Sequence, residues 1–263
     1  MHLTKSQTKE LRQAATRHGR RKTGLFLCEG LRACTEAWQA RRECVERVLV
    51  AAASGDGDPA IREILRGCER HGIEVFEVSS QELAGFAATE KPQGILFLCR
   101  RFQPESPVAP LPGPFVLVLD RVGDPGNMGT ILRTAWAVGV QEVWLTAGTA
   151  DPFSPKVIRA GMGAQFRLNI RERGALPELS QELHQLGAAP AWLSDPAAGI
   201  SCYSPDFTLE GASLVIGSEA HGVSDLSDAP RVHIPMPGGA ESLNAAQAAT
   251  ILMFESVRRG TLM

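Results

Sequence analysis

The sequence predicts an α/β protein in two parts, the second built on a parallel sheet. Three observations carry this reading. Short, almost continuously apolar runs alternate with stretches of helical length, the pattern of strands buried beneath helices on both faces. A chain of 263 residues has room for two domains. Five prolines fall within residues 102–114, where neither a helix nor a central strand can continue, which places a linker there.

Ahead of that linker, Leu25–Cys28 reads as a strand, Leu31–Ala40 as a helix and Val45–Ala51 as a second strand. Asp58-Pro59 is an N-cap followed by a first-turn proline, opening a helix over Ala60–Arg70. Glu74–Val78 and Gly94–Cys99 complete a small α/β domain over residues 1–101. After the linker, over 115–263, strands are expected at Phe115–Leu119, Glu142–Thr146, Phe166–Ile170, Ala191–Ser194, Leu214–Gly217 and Val232–Ile234. Helices are expected at Met128–Val138, Pro177–Leu186 and Leu243–Arg258.

Composition excludes several classes. At 44% hydrophobic and 21% charged, the chain has the make-up of a globular protein. It carries neither an apolar run long enough to span a bilayer nor a signal-peptide pattern at Met1–Ser6, so a cytoplasmic location and no membrane partner are expected. The six cysteines lack metal-binding spacing and read as reduced thiols, with no metal. Net charge is only −2, but residues 1–22 hold seven cations against the single acid Glu10. Such a cluster suits a phosphate backbone, or else forms a solvated helix face. Arg17, Arg20, Arg21 and Lys22 are the candidates for a basic arm that would contact such a backbone.

The most telling stretch runs from Asp120 to Arg133, where an apolar strand gives way to glycines and then a helix. Backbone amides at such a helix start favour an anion, so the site suits a phosphate-bearing substrate. Two more loops share its character: Leu214–Ser224, which carries Glu219 and His221, and Ile234–Asn244, which carries Ser242. Singly each has a plain explanation. Gly126 and Gly129 can make a turn, Asn127 can cap a helix, Glu219 can be a surface carboxylate, and Ser242 can cap the helix that follows it. Together, at the carboxyl ends of strands in an open α/β sheet, they point to one site. The dinucleotide Gly-x-Gly-x-x-Gly spacing, the phosphate loop ending in Gly-Lys-Ser/Thr and the Gly-x-Ser-x-Gly elbow are all absent. His221 has no nucleophile beside it in sequence and reads as a loop residue.

At these loops the sequence resembles the SpoU (TrmH-like) family of RNA ribose 2′-O-methyltransferases, within the SPOUT superfamily. Asn127-Met-Gly-Thr-Ile-Leu-Arg133-Thr-Ala matches its first motif, Gly217-Ser-Glu219-Ala-His-Gly222 the second, and Ile234-Pro-Met with Ser242-Leu-Asn244 the third. Asp151–Gly163 resembles a further family segment, and the first domain resembles the family's ribosomal-protein-like RNA-binding domain. Ala220 and Gly161 depart from the residues common in the family.

The resemblance implies a deep trefoil knot in the second domain, S-adenosylmethionine bound against Gly217, Ile234 and Leu243, and a homodimer. It implies catalytic roles for Asn127, Arg133, Glu219, Ser242 and Asn244, with Arg133 on a phosphate and at the ribose hydroxyl, the two asparagines orienting it, and Glu219 paired to it. The expected substrate is RNA and not DNA, with ribosomal RNA preferred over transfer RNA because of the ribosomal-protein-like domain. Three alternatives stay open: a catalytically silent RNA binder, a transfer-RNA enzyme and a base methyltransferase.

Overall fold

The computed structural model describes residues 3–52, 54, 57–104, 115–226 and 228–260. The chain divides into two compact units, Met1–Phe102 with Asp151–Arg167, and Gln103–Ala150 with Leu168–Met263. Most of the expected linker, 105–114, lies outside the described residues.

The first unit begins with helices α1 (Lys5–Ala15) and α2 (Arg17–Thr23), where an arm was expected. Both helices are capped from within: Thr4 and Gln7 close a capping box, and Thr16 accepts from the Gly19 amide. Leu11 and Ala14 give α1 a buried face, which turns a charged segment into part of the fold. There follow β1 (Leu25–Glu29), α3 (Leu31–Arg41), β2 (Val45–Ala51), α4 (Pro59–His71), β3 (Glu74–Val78), the short α5 (Ser80–Ala84) and β4 (Ile95–Arg100). The sheet order is β1-β4-β2-β3, antiparallel except for the β2–β3 pair. Alternate residues feed two cores. Phe26, Cys28, Val48 and Phe97 pack under α3 and α4, while Leu25, Leu27, Leu49 and Leu98 pack with Leu11 and Leu83. That is why these strands read as unbroken apolar runs.

The second unit opens with β5 (Phe115–Asp120), α6 (Pro125–Ala137) and β6 (Glu142–Leu145). The chain then re-enters the first unit, where α7 (Pro155–Gly161) contributes Ile158 to the core beneath α3, together with Phe153 and Phe166. The ends of this segment are held by ion pairs, Arg20 to Asp151 at 2.7 Å and Arg167 to Glu36 at 2.8 Å. The strand expected at 166–170 begins only at Asn169, because Gly163 (φ 85°) starts a 3-10 turn that carries Phe166 into that core. Back in the second unit lie β7 (Asn169–Glu172), α8 (Leu176–Gln185), β8 (Ala191–Ser194), β9 (Ile200–Ser201), β10 (Ala212–Gly217), β11 (Arg231–His233) and α9 (Ala245–Arg258). The sheet order is β7-β6-β5-β10-β8-β11-β9, and every pairing is parallel. This is the parallel-sheet architecture expected from the sequence.

Parallel pairing aligns strand ends. Gly217 pairs with Asp120 and Val232 with Ser194, so β5, β10, β8 and β11 release their chains at one edge of the sheet.

Candidate active site

The three loops leave from that edge and meet. Asn127 donates from Nδ2 to Oε1 of Glu219 at 2.6 Å. Asn244 donates from its own Nδ2 to the same oxygen at 2.7 Å and to Oδ1 of Asn127 at 2.9 Å. These residues are 92 and 117 positions from Asn127 along the chain, yet they form one closed set of side chains.

Helix caps set the two amides. Asn244 is the N-cap of α9, its Oδ1 accepting from the Ala246 and Gln247 amides, which leaves its NH2 to face Glu219. Ser242, the capping residue considered from sequence, stands two residues earlier and is exposed. Asp124 caps α6 by accepting from the Asn127 amide, so Asn127 sits on the first turn and its side chain is free for the cluster.

Asp120, buried at the end of β5, anchors the loop that carries Glu219. Its Oδ2 accepts from the Ser224 amide at 2.6 Å and its Oδ1 from the Thr146 hydroxyl at 2.8 Å. Within that loop, Ser218 and Gly222 exchange backbone hydrogen bonds of 3.1 and 2.8 Å. Gly217 has to be glycine because a Cβ there would overlap the backbone of Gly222 and Val223.

Beside the cluster lies a cavity of about 180 Å³. All three residues expected against the cofactor, Gly217, Ile234 and Leu243, line it, as do Glu219 and Ser242. Ile216, Met236 and Leu252 add apolar wall. Sequence reasoning missed the turn Ser194-Asp195-Pro196 and His233, which also line it; both sit at strand ends, the signal that would have found them. Asp195 accepts from the Ala197 amide at 2.9 Å and from Arg231 at 2.7 Å, and these bonds, the amide first, hold its carboxyl below the usual range. Among the described residues, the lining contains two carboxylates, Asp195 paired to Arg231 and Glu219 held by two amides, and no lysine or arginine. Apolar walls with an acidic rim fit a flat heterocycle joined to a cationic group, which is the chemistry of S-adenosylmethionine.

Two expectations need correction. The partners foreseen for Arg133 are not its partners: Asn127, Asn244 and Glu219 bond one another, Glu219 also accepts from the Ala245 amide, and exposed Arg133 has no hydrogen-bond or ion-pair partner among the described residues. Arg20 does not face solvent with Arg17, Arg21 and Lys22. It is 4% exposed, bound to Asp151 and to the carbonyls of Ala14 and Ala15, because burial demands a partner for every donor it presents.

Residues 114–254 match the SpoU rRNA methylase family, over more than half of the chain. The chain belongs to the SpoU rRNA methylase family. Residues 5–96 match the MRM3-like substrate-binding domain. A 23S rRNA guanosine 2′-O-methyltransferase of Bacillus subtilis is 32% identical over 255 residues, 94% of each chain. Among solved structures, a TrmH-family RNA methyltransferase from Porphyromonas gingivalis is 33% identical with a TM-score of 0.81, over 98% of this chain and 100% of that one. The SpoU methyltransferase AviRb from Streptomyces viridochromogenes, in complex with AdoMet, is 26% identical with a TM-score of 0.81, over 98% and 99%. The SpoU match thus extends from the loop motifs to nearly all of the second domain.

Proposed function

We propose that this chain transfers a methyl group from S-adenosylmethionine to a ribose 2′-hydroxyl of ribosomal RNA. The observation that carries the reading is the Asn127–Glu219–Asn244 cluster at the rim of the acidic-edged cavity, which joins all three family motifs into one site. The ribosomal assignment rests on the relatives' named substrate.

The cofactor, when bound, supplies an electrophilic methyl. The chain's own residues have separable tasks. Gly217, Ile234 and Leu243 wall the cofactor cavity. Arg133, exposed and unpaired among the described residues, holds the phosphate next to the target ribose and stabilises the oxygen as its proton passes to solvent water. A guanidinium with a pKa above ~12 is a poor base at neutral pH, so its contribution is electrostatic and positional. Asn127 and Asn244 hold Glu219 in place, and Ser242, on the cavity wall, orients the substrate. Residues 1–101 present the RNA, with Arg17, Arg21 and Lys22 as exposed cations. The working form is a cytoplasmic homodimer whose second domain is knotted.

The test is titration calorimetry with S-adenosylmethionine, then nucleoside analysis of ribosomal RNA incubated with both. Binding plus a 2′-O-methylated nucleoside is expected. Absence of binding would favour a silent RNA binder, and a base-methylated product would remove the ribose assignment.

A further inference from the structure

We propose that one face of α1, bearing Lys5, Lys9 and Arg12, is the phosphate track that holds the RNA substrate. This deepens the proposed function and rests on it. At about 100° per residue, the three cations fall within an arc of roughly 60°, while Leu11 and Ala14 lie some 130–170° away. The helix is therefore bolted to the sheet by one face and offers the other to solvent. All three cations are exposed, and none has a recorded partner among the described residues.

Glu10, the single acid on α1, is removed from the contest. It points away from the cations and is bound to Arg47 at 2.6 Å, which also holds Glu74 at 3.0 Å. The cations rim an open groove of about 500 Å³ whose remaining polar lining is Thr8, Gln13 and Thr16, all neutral hydrogen-bonding groups. A second hollow, lined by Leu3, Thr8 and Arg12, also carries Glu77 and Glu82, so acidic groups border the cationic strip on that side. Successive cations stand about 6 and 4.5 Å apart along the axis, which suits contact with consecutive phosphates of one strand. The cluster expected from sequence at residues 17–22 loses Arg20 to the core and is shorter by one cation.

The experiment compares binding of a 23S rRNA transcript across a salt series. The proteins are wild type, Lys5→Gln/Lys9→Gln/Arg12→Gln, and Arg17→Gln/Arg21→Gln/Lys22→Gln. Releasing three phosphate contacts at ~0.7 per phosphate should lower the slope of log K against log salt by about 2 in the α1 variant. The α2 variant should change it less. A charge-keeping variant, Lys5→Arg/Lys9→Arg/Arg12→Lys, should retain the wild-type slope, which separates lost charge from a damaged helix. An unchanged slope in the α1 glutamine variant, or a larger loss in the α2 variant, overturns the assignment to α1 while leaving methyl transfer standing. Failure of the wild type to bind the transcript would sink both.

Discussion

Gly217→Ala is the sharpest probe of the candidate site. Gly217 ends β10, and the loop after it turns back so tightly that Gly222 and Val223 occupy the space a Cβ would need. The three nearest obstructing atoms are all backbone, so the clash is not relieved by swinging a side chain aside. Alanine must push the turn open, breaking the Ser218–Gly222 pair of backbone hydrogen bonds and straining the His221 amide to Ser218 bond of 3.1 Å. At a net ~1 kcal/mol for each bond, the loss is about 2–3 kcal/mol. Gly217, Ser218, Glu219 and Gly222 all line the cavity, so this loss should appear in cofactor binding. It corresponds to a Kd for S-adenosylmethionine weakened roughly 30- to 150-fold, at about 1.4 kcal/mol per tenfold. Titration calorimetry reads it directly, and urea unfolding shows whether the rest of the unit is intact. Wild-type affinity in the alanine variant would refute the claim that this turn shapes the site.

Other substitutions separate the remaining roles. Arg133→Ala should abolish methyl transfer while calorimetry finds cofactor affinity unchanged; turnover near wild type would remove Arg133 from the chemistry. Arg20→Ala should cost about 1.5–3 kcal/mol of stability in urea, because it takes the 2.7 Å partner from a largely buried Asp151 and leaves it Arg101 at 3.7 Å and the Phe153 amide, and it should leave the salt slope of RNA binding unaltered. Arg258, and then Arg259, hold the Glu255 carboxyl down at about 2, against an ordinary 4.5. A depressed carboxyl stabilises the fold above the unfolded value and loses that contribution as pH falls through the folded one. The stability gap between wild type and Glu255→Gln should therefore be full above about pH 5 and close toward pH 2; a gap independent of pH would contradict the pairing. All six thiols are buried, with Cys68 pushed up to about 11 by burial, so alkylation at neutral pH should wait for unfolding. Rapid labelling of the native protein would show that core to be open.

Local order was legible in the chain itself. Asp58-Pro59 marked the start of α4, and apolar runs marked β2, β3 and β8 at their observed limits. These signals depend on neighbours a few residues apart, where capping, proline geometry and side-chain periodicity act without knowledge of the rest of the fold. Asn127, Glu219 and Asn244 were also named from their motifs.

Their partnership was a different matter. The roles implied by the resemblance paired Glu219 with Arg133; the fold pairs it with two amides, because capping of α6 and α9 aims those amides at it. Asp120 shows the same limit, for its hold on Ser224 depends on which strands lie side by side. Nor does a one-dimensional pattern say which core an apolar residue will join: Phe153 and Phe166 follow β6 in the chain but pack with Phe26 in the first unit. Arg20 and Arg21 are identical neighbours in sequence, and only the burial of one face of their helix decides that the first is bound to Asp151 and the second faces water. The sequence determined the elements and the chemistry they carry. The tertiary structure decided who meets whom, because contacts between distant residues are set by packing and by the need to satisfy every buried polar group.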